Sequence, residues 1–431
     1  MWTKQQPKQQ MDSQKPHIVK FSGGRSSAMM LMNLLENNQL SPKRGDVIIF
    51  NNTSAEHSAT YDFTRQIKNL SEEKYNIPFF WIEYQTYEDS SNTYQWSRKP
   101  SYKLVNDQPH SQDNPDGYRY KGEVFEEMVS LGGFLPSMVS RICTVSMKIF
   151  ITNAFLSDWF AQKQSIERLG HYGNTPKMSN ADVIKTHKKN GGSVPDNILL
   201  SKKAFVRSCS FVRPRQYWKD WTNADIVINN DVLEDSVIGN KAQLYGDLAI
   251  DYISVLGIRS DEQRRITKIE NRIDEAQENQ GKSLFNQPHG EGILAPLVDD
   301  RITQDQVIEF WKEQDFNLRL SNTGLFSNCL YCPLKSKAKL QQIATLQLEK
   351  NVDKDTPESI DWWINIEKKY SRNLIAEERE ITSEKAPKYV GFFGPVKTLV
   401  FEDIKNKVVS GEKIDPELLK LDSAIPCNCT D

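Results

Sequence analysis

Short apolar runs alternate with longer amphipathic segments over most of this chain. Four runs predict buried strands, at 17–21, 46–50, 79–84 and 252–258. Two segments, at 29–35 and 58–70, have apolar residues at helical spacing. Strands that alternate with helices in this way are typical of βαβ units. The pattern therefore predicts an α/β fold, with a parallel twisted sheet flanked by helices.

The character of the sequence changes along the chain, which suggests domain boundaries. Residues 84–135 are rich in Ser, Asn, Asp and Tyr, and we expect them to form a long ordered loop near the site. The other predicted regions are a polar leader at 1–16, an α/β domain at 17–282 with a basic insertion at about 162–220, and a mainly helical C-terminal region at 283–431.

The composition excludes several classes of protein. The chain has 431 residues, and 55 Lys and Arg against 57 Asp and Glu give a net charge of −2. A wholly disordered chain and a histone-like basic protein are therefore excluded. No stretch approaches the roughly 18 uncharged apolar residues of a membrane span, and 1–16 lacks the apolar segment of a signal peptide. Six cysteines are too few for a disulfide scaffold, so we expect a cytoplasmic protein without membrane contact.

The turn after the first predicted strand has the composition of an anion-binding loop. It reads Ser-Gly-Gly-Arg-Ser-Ser over 22–27. Gly23 and Gly24 allow positive φ angles and close approach of a ligand, and the start of a helix directs unpaired N–H groups toward a phosphate. Open α/β sheets bind ligands at the carboxyl ends of their strands, which favours a phosphate site over an ordinary turn. The loop is neither a Walker A motif nor a GxGxxG motif.

This loop resembles the PP-loop of ATP pyrophosphatases and phosphoadenylyl-sulfate (PAPS) reductases, which usually reads Ser-Gly-Gly-Lys-Asp-Ser. Arg25 and Ser26 replace the Lys and Asp, a variant similar to that of PAPS-reductase-like proteins of phages and mobile islands. Further segments resemble the family's motifs in the same order: Asn52-Thr53-Ser54-Ala55-Glu56, Arg141-Ile142-Cys143-Thr144 with Lys148, Gly257-Ile258-Arg259-Ser260-Asp261-Glu262 with Arg265, and Pro296-Leu297. The resemblance covers about residues 17–340 and implies an adenine nucleotide α-hydrolase-like fold.

The resemblance also implies a reaction in which ATP activates an oxygen atom. That oxygen attacks the α-phosphorus and pyrophosphate leaves, so the protein mainly places reactants and neutralises phosphate charge. The implied catalytic cations are Arg25, Lys148, Arg259 and Arg265. The implied nucleotide-binding residues are Ser22, Gly23, Gly24, Arg25, Ser26, Ser27, Asn52, Thr53, Glu56, Arg141, Asp261 and Glu262. The implied cofactors are ATP and Mg²⁺. The carboxylates of Asp261 and Glu262 are candidates for binding magnesium or for orienting the arginines.

Three cysteines are candidates for metal binding or sulfur relay. Cys329 and Cys332 form a Cys-x-x-Cys motif, and the resemblance places Cys143 over the same site. Three thiolates suit a [4Fe-4S] cluster with one open iron, or a zinc ion. A redox-active pair that accepts a persulfide, and inert buried thiols, are the alternatives. Cys427 and Cys429 do not match the Glu-Cys-Gly-Leu-His tail of true PAPS reductases, which argues against sulfate reduction.

A basic stretch at 185–219 carries nine Lys or Arg residues and a single Asp, with aromatic residues among the cations. Cations bind a nucleic-acid backbone and aromatic rings stack on exposed bases. A solvated charged face is the alternative, but the interleaved aromatic residues favour a nucleic-acid interface. The candidate nucleic-acid-binding residues are Lys202, Lys203, Arg207, Arg213, Arg215 and Lys219.

Within the PP-loop family, the chain resembles the PAPS-reductase-like member of the DNA phosphorothioation (Dnd and Ssp) systems. The resemblance implies an ATP pyrophosphatase that adenylates a DNA backbone phosphate for sulfur insertion. It also implies a cysteine desulfurase as sulfur donor and further modification-complex subunits that handle DNA. Three alternatives remain at this point: tRNA thiolation, a PAPS or APS reductase, and a non-catalytic nucleotide-binding module of a defence complex, which the missing Asp of the loop favours.

Overall fold

All four apolar runs that predicted strands lie in one central sheet. A computed structural model describes residues 14–89, 97–160, 247–278, 289–320, 325–326, 329–375 and 386–414. The strands of the sheet are β1 (His17–Phe21), β2 (Val47–Asn52), β3 (Phe79–Asp89), β4 (Ser97–Pro109), β5 (Gly117–Tyr118), β6 (Asp247–Leu256) and β7 (His289–Leu294). Their order is β5-β4-β3-β2-β1-β6-β7, and every neighbouring pair is parallel except β3 and β4. The α/β class is thereby confirmed.

Helices lie on both faces of this sheet. They are α1 (Arg25–Glu36), α2 (Ser58–Asn69), α3 (Glu123–Gly132), α4 (Ile142–Thr144), α5 (Ile151–Phe160), α6 (Gln263–Glu278), α7 (Pro296–Asp299), α8 (Gln304–Lys312), α9 (Lys337–Glu349), α10 (Ile360–Tyr370) and α11 (Val400–Val409). Strand side chains alternate between the two faces, so Val19 and Phe21 pack with α1 and α2 whereas Ile18 packs with α3 and α5. The sheet is consequently buried between two apolar layers.

The expectation of a long loop over 84–135 is wrong. This segment contains the end of β3, all of β4, the short strand β5 and helix α3. In β4, Tyr102 and Leu104 are buried and pair with Tyr84 and Ile82 of β3, while Lys103 lies between them. The strand was missed because its apolar positions are few and the surrounding segment is rich in polar residues.

The C-terminal region shares the core of the α/β domain. Ile18 of β1 and Ile404 of α11 belong to the same apolar cluster, which also contains Trp363 of α10. A second, three-stranded sheet lies in this region, with β8 (Arg372–Asn373), β9 (Tyr389–Gly391) and β10 (Gly394–Val396) in the order β10-β9-β8. Residues after 283 therefore complete the core that the first half of the chain begins.

Several predicted features lie outside the described residues. They include the leader up to residue 13, the C-terminal cysteines, and almost all of the basic insertion with the six nucleic-acid candidates Lys202, Lys203, Arg207, Arg213, Arg215 and Lys219. Within the described ranges, no helix is both long enough and apolar enough to cross a membrane.

The strand order defines where a ligand fits. The chain leaves β1 toward β2 on one side, and β6 pairs with β1 on the other side. The connections after β1 and after β6 therefore run in opposite directions away from a crevice at the carboxyl edge. Open α/β sheets bind ligands at such a switch point, and both predicted nucleotide-binding loops flank it.

Candidate functional site

The turn between β1 and α1 has the backbone of an anion-binding loop. Gly23 has a φ of +75°, and a Cβ atom there would lie 2.7 Å from Cγ2 of Thr60. The hydroxyl groups of Ser22 and Ser27 lie 2.8 Å apart, and Ser27 Oγ donates to the carbonyl oxygen of Gly24 at 3.0 Å. The first turn of α1 contains no acidic residue, so its positive dipole end is not neutralised from within the helix.

The connection after β6 packs directly against this turn. A Cβ atom at Gly257 would lie 2.5 Å from Cα of Ser27, so the two backbones approach each other as closely as a glycine permits. Arg259 follows, and its Nη1 donates to Ser26 Oγ at 3.2 Å. One guanidinium group is thus fixed at the N-terminus of α1, where an anion would bind.

Two carboxylates orient the arginines of this connection. Asp261 accepts from Nε of Arg259 at 2.8 Å, and its second oxygen accepts from the Gln304 N–H at 3.4 Å. Glu262 accepts from Nη1 of Arg265 and, with its other oxygen, from the Arg259 N–H, both at 2.9 Å. These contacts fit the role of holding the arginines, and magnesium binding by the two carboxylates stays a prediction.

Arg25 has a different set of partners from those the resemblance implies. Its Nε donates to Asn317 Oδ1 at 2.9 Å, and its Nη2 donates to the carbonyl oxygens of Leu318 and Leu320, the latter at 2.7 Å. Burial lowers the pKa of this guanidinium group. The contacts assign Arg25 a positioning role between α1 and the segment after α8, and its catalytic role stays a prediction.

The second motif lies at the end of β2 and carries a buried carboxylate. One oxygen of Glu56 accepts from the Thr53 N–H at 3.2 Å and from the Thr53 hydroxyl at 2.7 Å, and the other accepts from the Tyr61 hydroxyl at 3.2 Å. Burial raises the pKa of Glu56, and the nearby charge of Lys148 opposes this shift. Glu56 is therefore poised to accept positive charge or a proton at this edge.

The side-chain amide of Asn52 holds the second motif in place. Its amide nitrogen donates to Glu83 Oε1 at 2.8 Å and to the carbonyl oxygen of Arg119 at 2.6 Å. Its amide oxygen accepts from the Ser54 N–H at 2.8 Å and from the Tyr61 hydroxyl at 3.3 Å. Through these contacts the Asn52 amide fixes the conformation of the loop that follows β2. Glu83 is not among the predicted site residues, although a single carboxylate inside an apolar run is a recognisable sign of a buried polar partner.

Ser54 stands where the resembling family has glycine. Its φ is +59°, in the left-handed region that favours glycine. Its hydroxyl accepts from the Val124 N–H at 2.9 Å, and so caps the N-terminus of α3. The serine thereby joins the second motif to α3.

Lys148 lies in a wide helical turn, Val145–Phe150, between α4 and α5. Such π-helical turns expose backbone groups and often occur at functional sites. The side chain of Asn51, at the carboxyl end of β2, donates to the Lys148 carbonyl oxygen and to Thr152 Oγ1, each at 2.9 Å. The wide turn is therefore attached to the same sheet edge as Glu56.

Cys143 lies on α4 between two cations. Burial raises the pKa of its thiol, and the charges of Lys148 and then Arg141 act in the opposite direction. Arg141 immediately precedes α4, and its Nη2 lies 3.5 Å from Thr144 Oγ1. The predicted residues Arg141, Cys143 and Lys148 thus occupy one short segment.

The Cys-x-x-Cys motif approaches the second motif through Cys329. Its sulfur lies 3.9 Å from Thr53 Oγ1, and its backbone pairs with that of Glu56. Cys332 is buried. The ammonium group of Lys335 donates to the carbonyl oxygens of Cys329 at 3.2 Å and of Leu330 at 2.7 Å, which holds the turn closed.

The structure describes all three predicted cysteines, Cys143, Cys329 and Cys332. Among the described residues, no group of three His, Cys, Asp or Glu side chains that could hold a metal ion is found. A [4Fe-4S] cluster at these cysteines stays a prediction. Cys329 remains within reach of the second motif as a thiol.

The site consequently has two parts along one sheet edge. One part is the glycine turn with Arg259, and the other is the group around Glu56 with Lys148, Cys143 and Cys329. Thr60, at the start of α2, contacts Gly23 and links the two parts. Comparisons of this chain with protein-family models, curated proteins and solved structures found no match.

Proposed function

We propose that this protein is an ATP pyrophosphatase that adenylates a DNA backbone phosphate so that sulfur can be inserted. One observation carries the proposal: the glycine turn after β1 and the Arg259 connection after β6 meet at the N-terminus of α1, at the switch point of the sheet. Backbone N–H groups, an unneutralised helix end and a fixed guanidinium group together suit the phosphates of a nucleotide.

The first chemical step is an attack on the α-phosphorus of ATP. A phosphate oxygen of the DNA forms a bond to that phosphorus, and the bond to the β-phosphate breaks, so that pyrophosphate leaves with the bonding electron pair. Arg259 and Lys148 neutralise the charge that develops, and the N–H groups of the glycine turn hold the leaving group. Arg265 holds Glu262, which in turn holds the backbone of Arg259.

The second step is the replacement of AMP by sulfur. The terminal sulfur of a persulfide supplied by a cysteine desulfurase attacks the activated phosphorus, and AMP leaves with the bonding electron pair. A second thiol then attacks the inner sulfur of the persulfide, so that a disulfide forms and the terminal sulfur stays on the phosphorus. Two thiols, Cys143 and Cys329, lie in the part of the site around Glu56 and Lys148. This position supports a sulfur relay beside the nucleotide. The nucleic-acid target is supported by the basic composition of 185–219.

Release of pyrophosphate from ATP tests the proposal. We expect the full-length protein to release pyrophosphate in the presence of DNA. Because Arg259 stabilises charge at the α1 N-terminus, Arg259→Gln should lower the rate by about 10²–10³. Lys312→Gln is the matched control, since the exposed Lys312 side chain pairs with Glu309 in the same helix, and this variant should retain full activity.

Other results would point to other functions. Sulfite release from PAPS without pyrophosphate release from ATP would make the protein a reductase and contradict the proposal. Tight ATP binding without turnover would identify the protein as a non-catalytic nucleotide-binding module. Thiolated nucleosides in tRNA, in place of phosphorothioate dinucleotides in DNA, would move the same activation chemistry to a base carbonyl.

A further inference from the structure

The loop between α3 and α4 ends in an exposed apolar tip. Met138 is 68% exposed and Val139 is 98% exposed, although the centre of a turn usually carries Gly, Asn, Asp or Pro. Among the exposed large apolar side chains of the described residues, these two form the adjacent pair. An adjacent apolar pair at the end of a loop is a feature that needs an explanation.

The tip is held firmly by the rest of its loop. The Ser137 N–H donates to the Ser140 carbonyl oxygen at 2.8 Å, and the Ser140 N–H donates to Ser137 Oγ at 3.1 Å. Leu135 is buried in the core. At the base, a Cβ atom on Gly132 would lie 2.7 Å from Cδ1 of Ile142, so the two ends of the loop touch. The two exposed side chains therefore lie at the tip of a closed loop that is anchored in the protein.

The surroundings of the tip carry positive charge without carboxylates in the same segment. No Asp or Glu occurs from residue 128 to residue 157, whereas Arg141 and Lys148 both do. The two carboxylates directly before this segment are both engaged: Glu127 is buried and accepts from the Thr86 N–H at 2.6 Å, and Glu126 is paired with Lys369 at 2.6 Å. Arg141 follows Met138 by three residues, so their Cα atoms are at most about 11 Å apart. The tip and the cations can thus contact the same polyanion.

We propose that Met138 and Val139 form a wedge that inserts between stacked base pairs of double-stranded DNA. The inference rests on the proposed function, and adds to it the way in which the substrate is held. Proteins that bend DNA insert apolar side chains at a base step while neighbouring cations contact the phosphates. The wedge opens the step next to Arg141 and leads the backbone toward Cys143 and Lys148.

The size of the tip favours DNA over a protein partner. A stable protein interface covers about 800 Å² on each partner, which is far more than two side chains present. A wedge needs only one or two apolar side chains, because the remaining affinity comes from phosphate contacts. A membrane is a poor occupant for the same reason, since two side chains anchor a protein only weakly.

Binding of two DNA duplexes tests the wedge. One duplex of about 20 base pairs is fully paired, and the other has the same sequence with a two-nucleotide bulge, where unstacking has already occurred. Fluorescence anisotropy with the full-length protein should show about tenfold tighter binding to the bulged duplex. The double variant Met138→Ser with Val139→Ser should lose this preference and bind the paired duplex about tenfold more weakly.

Val409→Ser is the matched control, because Val409 is an exposed valine on α11, and it should keep the preference. The double variant should also keep the unfolding temperature of the unmodified protein, since both side chains are exposed. If the unmodified protein binds the two duplexes equally tightly, and the double variant does the same, the wedge is overturned. The tip would then be left to a protein partner. Pyrophosphate release by the unmodified protein, measured in parallel, reports separately on the proposed function.

Discussion

At the scale of single residues, Arg25 and Arg259 both lie at the N-terminus of α1 but have different partners. Arg259 contacts Ser26 of the glycine turn, whereas Arg25 contacts Asn317 and two backbone carbonyl groups. The same type of side chain therefore contacts the glycine turn in one position and the segment after α8 in the other. The resemblance implied a catalytic role for both, because a motif does not reveal in which direction a long side chain points.

Arg25→Gln separates these two roles. The substitution removes the Arg25 donor from the carbonyl oxygens of Leu318 and Leu320, of which Leu318 keeps the Leu320 N–H. This loss should lower the free energy of unfolding by about 1–3 kcal/mol. Pyrophosphate release should fall much less than in Arg259→Gln. Denaturant unfolding and the pyrophosphate assay check the two effects. Normal stability with a large loss of activity would restore Arg25 as a catalytic cation.

Gly257 sets the distance between the two loops of the site. In Gly257→Ala the new methyl group would meet Cα and N of Ser27 at 2.5 and 2.8 Å, and both are backbone atoms. The start of α1 must therefore move, and we expect ATP binding to weaken by about tenfold or more, as for other small misplacements of an active site. Titration with a fluorescent ATP analogue measures this effect.

Gly292→Ala is the control for that substitution. Gly292 lies on β7, and its new methyl group would meet only the end of the Ile253 side chain, at 2.8 Å, which can rotate away. This variant should bind ATP like the unmodified protein. Unchanged ATP binding by Gly257→Ala would show that the contact between the two loops does not matter for the nucleotide.

At the scale of elements, the strands and helices that bury one apolar face were predictable. β1, β2, β3, α1 and α2 follow from their apolar spacing, and so does the position of the glycine turn at a strand end. What could not be predicted depends on partners distant in sequence. Two examples are the hydrogen bond between Asn52 and Glu83 and the cap that Ser54 provides for α3. Both form only once the sheet and its helices have assembled.

A buried carboxylate couples α10 to α11 in a pH-dependent way. Glu367 of α10 accepts from the Phe401 N–H at 2.8 Å and so caps α11. Burial raises the pKa of Glu367 from 4.5 to about 7. The native state thus binds this proton more tightly than the unfolded chain does. The resulting stabilisation is fully present below pH 4.5 and is lost as the pH rises through about 7.

Glu367→Gln should remove this pH dependence. The amide oxygen can still accept from Phe401, so the cap remains while the buried charge is gone. Relative to the unmodified protein, the variant should gain of the order of 3 kcal/mol in unfolding free energy between pH 5 and pH 8. Urea unfolding at several pH values measures this difference. The control Glu309→Gln removes an exposed partner of Lys312 and should keep the original pH profile. If Glu367→Gln showed the same pH dependence as the unmodified protein, the account would be refuted.

At the scale of the whole molecule, one sheet supports both parts of the site. Residues from the first strand to the last helix contribute to the same apolar cluster, and the C-terminal half delivers Cys329 to the second motif. This shared core therefore fixes the distance between the glycine turn and the thiols. This arrangement is what a reaction needs when it joins a nucleotide to a target and then exchanges the nucleotide for sulfur.

The most direct test of this account is a crystal structure of the protein with ATP in which a methylene group replaces the oxygen between the α- and β-phosphates. We expect the triphosphate to lie against the N–H groups of the turn at 22–27, with the guanidinium group of Arg259 on a phosphate oxygen and the α-phosphorus facing Lys148. A triphosphate bound anywhere else, with this turn closed to it, would contradict the central claim.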